Sequence, residues 1–266
     1  MKSGLKSKKR LKLYSANKSI VFVYIVLMLY FYNLLLSTKL VEGNIFDLLL
    51  HLTEFHPLFY SILPAFLMIL ISLFSLGNVQ NYLLIRFYTK RQWYHANLLR
   101  VVKSATYFCL MLVAIMVLEA VFVLDFKNQW SNYSVHYYKH HTELLSNSTP
   151  IFLTTMSVVL LWLFLCFFGM LFYISYLFTG RILLACLVVL LVNMLNIGVF
   201  LSKITPISSY LFYDHINVFQ YTTSSISDIT DYPYTILLYW IVLIFILYLI
   251  GYCCINHKDM YIGERK

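Results

Sequence analysis

The chain has 266 residues, of which 61% are apolar and only 12% charged, with a formal net charge of +9. A soluble globular domain carries about 25% charged residues, and this sequence holds several uncharged runs long enough to cross hydrocarbon as a helix. Composition therefore excludes an ordinary soluble domain and predicts an all-α integral membrane protein. The surplus of Lys and Arg reads as membrane topology, with no nucleic-acid partner implied.

In chain order, the basic segment "MKSGLKSKKRLKLYSANK" (1–18) comes first. It fits an amphipathic helix lying along the inner interface, through Leu5, Leu11, Leu13 and Tyr14, as well as it fits a plain positive tail. The apolar run 19–37 is too long for a signal-peptide core and has no A-x-A-like cleavage site after it, so it is expected to be a retained first span. Further spans are predicted at 57–78, 104–125, 151–178, 182–202 and 234–254. Pro57, Pro150 and Pro233 stand at span starts, where a missing N–H costs little. Pro64 lies within the second span and is expected to kink it. The chain thus divides into the segment 1–18, a six-span domain 19–254 and a tail 255–266.

Lys and Arg sort these spans by side. The N-terminal segment holds seven, the connection 79–103 holds five (Arg86, Lys90, Arg91, Arg100, Lys103), and Arg181 and three tail residues join them. Only Lys39, Lys127, Lys139 and Lys203 fall on the other side. Because basic residues stay cytoplasmic, both termini are expected inside. Of the outer connections, 38–56 reads as a helix at the interface, 126–150 is rich in Tyr and His, and 203–233 contains the semi-apolar "ISSYLFYDHINVFQY".

The connection 79–103 interleaves its cations with aromatics. On a helix, Phe87, Arg91 and Tyr94 share a face, as do Arg86, Lys90 and Trp93. This suits a cytoplasmic loop with snorkelling cations and interfacial rings, and it equally suits a short helix docking into a partner's groove. The stretch "IRFYTKRQW" (Ile85 to Trp93) resembles a segment of the permease subunits of bacterial ABC transporters. These are the exporter-type, ABC-two-like permeases of peptide, bacteriocin and antibiotic-resistance systems in Gram-positive bacteria.

The resemblance implies that this segment is a cytoplasmic coupling helix between spans two and three, contacting an ATPase through Arg86, Phe87, Lys90, Arg91, Trp93 and Tyr94. It implies a cytoplasmic ABC ATPase on a separate chain, since no GxxxxGK[ST] loop occurs here. It also implies a second permease copy or related subunit, and a plasma membrane of a Gram-positive bacterium. The corresponding function is export or expulsion of an amphipathic peptide or hydrophobic compound, without chemistry or cofactor of its own. The alternative is an ATP-independent membrane-bound binding or immunity protein.

Other residues were weighed for chemistry. Glu119 falls inside the third span, where a carboxylate costs about 2.5 kcal/mol or more unless it faces a cavity or partner. It is read as a hydrogen-bonding partner of Asn193 or Asn196, or as a group serving substrate or proton movement. His136, His140 and His141 in "HYYKHH" lack an HExxH pattern, and no metal is assigned to them. The five Cys, at 109, 166, 186, 253 and 254, show no CxxC spacing and read as buried small hydrophobes. No catalytic set assembles.

Overall fold

The computed structural model describes residues 2–75, 89–202, 212–219 and 234–257, with side chains between Ile20 and Ile255. Every regular element among them is helical. The elements are α1 (Lys2–Leu40), α2 (Ile45–Leu50), α3 (Leu63–Ser75), α4 (Lys90–Ala120), α5 (Asn132–Tyr137), α6 (Thr142–Asn147), α7 (Pro150–Thr179), α8 (Ile182–Ser202) and α9 (Tyr234–His257). A π-helical turn, Pro57–Ile62, leads into α3. Six helices are long and apolar enough to span a membrane: α1 from Ile20, α3 with its π turn, α4, α7, α8 and α9.

From Lys2 the backbone of the basic segment 1–18 runs on as one 39-residue helix into the first span. One expected boundary moves. The third span was placed at 104–125, but α4 begins at Lys90 and ends at Ala120. Thr89 caps it, its hydroxyl accepting from the Gln92 N–H at 3.2 Å. No separate short helix therefore occupies 90–103, which is the first part of α4. Arg86 and Phe87 lie outside the described residues.

The distortion expected at Pro64 takes the form of the wide turn before it. Pro64 has no N–H to complete an α-helical bond, and the Leu63 N–H reaches back five residues to the Leu58 carbonyl. A π turn is how a helix absorbs such a mismatch.

α7 is the central post. In its most apolar stretch 61% of residues are buried, against 22% in α1 and in α9, so α7 packs inside while those two present their flanks outward. α4, α8 and α9 all pack on α7, while α1 lies against α3 and α4. On α1 the buried residues Val23, Leu27, Phe31 and Leu35 recur every four positions, one helical stripe. Phe22, Ile25, Leu29, Tyr32 and Leu36 on the same helix are exposed and equally apolar.

Gly169 lets α7 approach its neighbours closely. A Cβ there would lie 2.7 Å from Val101 Cγ1 and 3.3 Å from the Phe66 ring, the role small residues take between membrane helices. Gly180 ends α7 in the left-handed conformation, φ 66°, which glycine adopts without a Cβ penalty.

Candidate functional site

Three places carry polar chemistry. The first is the end of the bundle where α4 begins. Trp93 and Tyr94 are buried there, Trp93 5% exposed and Tyr94 fully enclosed. The Tyr94 hydroxyl donates to the Tyr248 carbonyl of α9 at 2.9 Å, and its ring lies over Gly251, where any Cβ would strike it. The Tyr173 ring of α7 lies 6.0 Å from Tyr94 and 6.4 Å from Trp93. Both aromatics, expected at an ATPase-coupling surface, are buried within the chain, as an amphipathic helix end beside a bundle turns its rings inward and its cations outward.

Arg91, Gln92 and His95 form the exposed face of this helix end. The Arg91 guanidinium lies 5.3 Å from the centre of the Tyr252 ring, a cation–π distance. The His95 ring is stacked on Tyr248 at 5.8 Å. The start of α4 is thus bolted to α7 and α9 while keeping a basic outer face.

The second place is Glu119, half-buried one residue from the far end of α4. Its Oε2 is enclosed and has no hydrogen-bond partner among the described residues. The expected bond to Asn193 or Asn196 is not formed. α4 and α8 both pack on α7 and make no comparable contact with each other. Asn196 Oδ1 accepts from the Phe212 N–H at 3.2 Å, and Asn193 Oδ1 is buried without a partner among the described residues.

The third place is a cap on the opposite end from Lys90, built from three connections. Its hub is Asp47, 2% exposed. Asn44 and Asp47 form a reciprocal capping box on α2, with the Asn44 N–H donating to Asp47 Oδ2 at 2.8 Å. Asp47 also accepts from the hydroxyl of Ser131 at 2.7 Å and from that of Ser134. The Asn44 amide donates to the Gln129 carbonyl at 2.8 Å. Trp130 Nε1 donates to the carbonyls of Leu145 and Ser148.

The segment 38–56 was expected at the lipid interface, but α2 is tucked into the bundle, with Ile45, Leu48, Leu49 and Leu50 buried. Its apolar flanks and one carboxylate look amphipathic until that carboxylate finds its donors inside. The residues 212–219 fold inward as well, with Phe219 stacked on Tyr138 at 3.6 Å and the Trp240 Nε1 donating to the His215 carbonyl at 2.7 Å.

Beside this cap lies a cavity of about 260 Å³ lined by Glu54, His56, Tyr137, His140, His141 and Tyr213, among others. Glu54 Oε1 stands 2.8 Å from His51 Nδ1, an ion-pair distance whenever the imidazole is charged. The Glu54 carboxylate, and then burial, push the Tyr137 phenol up. For Tyr138 burial comes first and Glu54 second. Burial, followed by His140, pushes His141 down and favours its neutral form. Among the described residues no three of His, Cys, Asp and Glu gather closely enough to hold a metal ion. Cys109, Cys166 and Cys186 are buried as expected, whereas Cys253 on peripheral α9 is exposed.

Sequence reasoning passed over Asp47 and the ring lock of Tyr94. The "NIFD" stretch carried a readable signal for the first, an Asn cap with an acid three residues on. The partner of Tyr94, a backbone carbonyl 154 residues away, left none.

Six apolar helices, one of them a buried central post, and a polar cap define a helical protein of the multi-pass membrane type. The chain is 38% identical over 249 residues, 94% of its own length and 92% of the relative's, to the uncharacterized protein BH0177 of Halalkalibacterium halodurans, and it belongs to the same family. No family model and no solved structure matches it.

Proposed function

We propose that the chain is the membrane-spanning permease subunit of an ABC transporter, exporting or expelling an amphipathic peptide or hydrophobic compound. A separate ATPase chain drives it, and a second permease copy or related subunit completes the pathway. In this reading both termini and the start of α4 face the cytoplasm of a Gram-positive bacterium, following the distribution of Lys and Arg.

One observation carries the reading. The basic start of α4 is a rigid lever, held to α9 by Tyr94 and to α7 through Tyr173, with Arg91 exposed. At about 1.5 Å per residue, a helix of this length reaches ~46 Å, beyond a ~30 Å hydrocarbon core. A load applied at Arg91 would pass into two other spans. The coupling surface is accordingly Lys90, Arg91, Gln92 and His95 together with the residues before Thr89, and Trp93 and Tyr94 root it. The cavity beside Glu54 supports the alternative, an ATP-independent binding or immunity protein holding its ligand on the outer face.

Affinity purification of the tagged chain from membranes of its own host tests the proposal. An ATPase carrying a phosphate-binding loop should co-purify. The double change Lys90→Ala and Arg91→Ala should cut its recovery about tenfold, an effect equivalent to ~1.4 kcal/mol, and the residual binding should depend less on salt. Purification without any ATPase, under conditions that keep the chain folded, would remove the transporter reading and leave the alternative.

A further inference from the structure

A groove of about 430 Å³ runs along the outside of the bundle between α1, α3 and α4. Its floor is apolar, with Tyr24 of α1, Ile69 and Leu73 of α3, and Phe108 of α4. Arg100, Lys103 and Ser104 of α4 stand along it. The Tyr24 and Phe108 rings are 6.2 Å apart, which fixes α1 and α4 as its two walls.

Among the described residues the two cations are uncompensated. Every described carboxylate that has a placed side chain, from Glu42 to Asp214, lies in the far half of α4 or in the connections at the cap end. Neither Arg100 nor Lys103 makes an ion pair among the described residues. Their depth is set by the helix. From Lys103 to the end of α4 at Ala120 is ~26 Å at the α-helical rise, close to the ~30 Å of a hydrocarbon core. Arg100 and Lys103 therefore sit at the level of one leaflet's headgroups, while Ile69, Leu73 and Phe108 border the acyl region. A snorkelling cation over an open apolar slot between spans is the arrangement that selects an anionic phospholipid, whose phosphate charge no headgroup cation neutralises, over a zwitterionic one.

We infer that this groove is a specific site for an anionic phospholipid. The headgroup phosphate is held by Arg100 and Lys103 with the Ser104 hydroxyl in reach, and one acyl chain lies along Tyr24, Ile69, Leu73 and Phe108. The occupant is a lipid and not a free anion, because the greater part of the groove offers hydrocarbon. The site belongs to the bundle itself and is independent of whether an ATPase binds.

The test uses the full chain in mild detergent, titrated with phosphatidylglycerol or phosphatidylcholine, with bound lipid counted by native mass spectrometry. Phosphatidylglycerol should bind in preference to phosphatidylcholine, saturating at a small number. Arg100→Gln with Lys103→Gln should weaken that binding about thirtyfold. Arg181→Gln, which removes a cation elsewhere on the same end, should leave it unchanged, as should millimolar inorganic phosphate. Equal binding of the two lipids, or an equal loss in Arg181→Gln, would reduce the effect to general surface charge and overturn the site. Displacement of the lipid by inorganic phosphate would overturn it too, in favour of a free-anion site.

Discussion

Asp214 gives the residue scale its sharpest readout. It is 7% exposed, and burial raises its pKa to about 6, above an ordinary aspartate near ~3.9. A carboxyl whose folded value is raised holds its proton in the folded protein at a pH where the unfolded chain has released it. The fold therefore loses stability as pH rises from ~4 to ~6, and the penalty is fully present above that window. Asp214→Asn should remove this slope. Thermal unfolding of the solubilised protein from pH 4 to 7 would show the wild-type midpoint falling relative to the variant across that range, and parallel curves would contradict the assignment. Glu119 differs from Asp214 in kind, since its enclosed Oε2 lies within a span, where a charged carboxylate is costly to hold.

At the scale of the element, α4 joins two roles in one helix. Its first turns, read from sequence as a docking surface, are rooted by Trp93 and Tyr94 and exposed at Arg91, Gln92 and His95. Truncating the buried indole removes packing against the Tyr173 region and leaves a cavity. Trp93→Ala should thus cost about 3 kcal/mol or more of stability, seen as a lower unfolding midpoint and reduced abundance in the membrane. An interface anchor would behave otherwise, leaving the isolated subunit as stable as before. Arg91→Ala should spare the midpoint, because an exposed cation–π contact contributes only about 0.5–1 kcal/mol.

For the whole molecule, the helix order places Gln92 and Ser146 at opposite ends, both exposed. On a Cys-free background, an impermeant thiol reagent should label Ser146→Cys in intact cells and reach Gln92→Cys only after lysis. The reverse pattern would invert the proposed topology. The number of spans, their order and most of their limits were legible in the residues, because a helix must present about 20 apolar residues to hydrocarbon wherever it crosses. Which face of each span turns inward was not. Lipid is as apolar as a protein core, so Phe22 and Phe31 of α1 look alike in sequence although one is 62% exposed and the other fully buried. The same equivalence hid the destination of the rings at Trp93 and Tyr94. Charge and length alone settle that this chain is a six-helix membrane type. Only tertiary packing decided that Asp47 ties α2 to the connection carrying Ser131 and Ser134, that Tyr94 locks α4 to α9, and that Glu119 Oε2 is left without a partner among the described residues. Those outcomes depend on where distant segments meet, and no local pattern encodes a partner so many residues away.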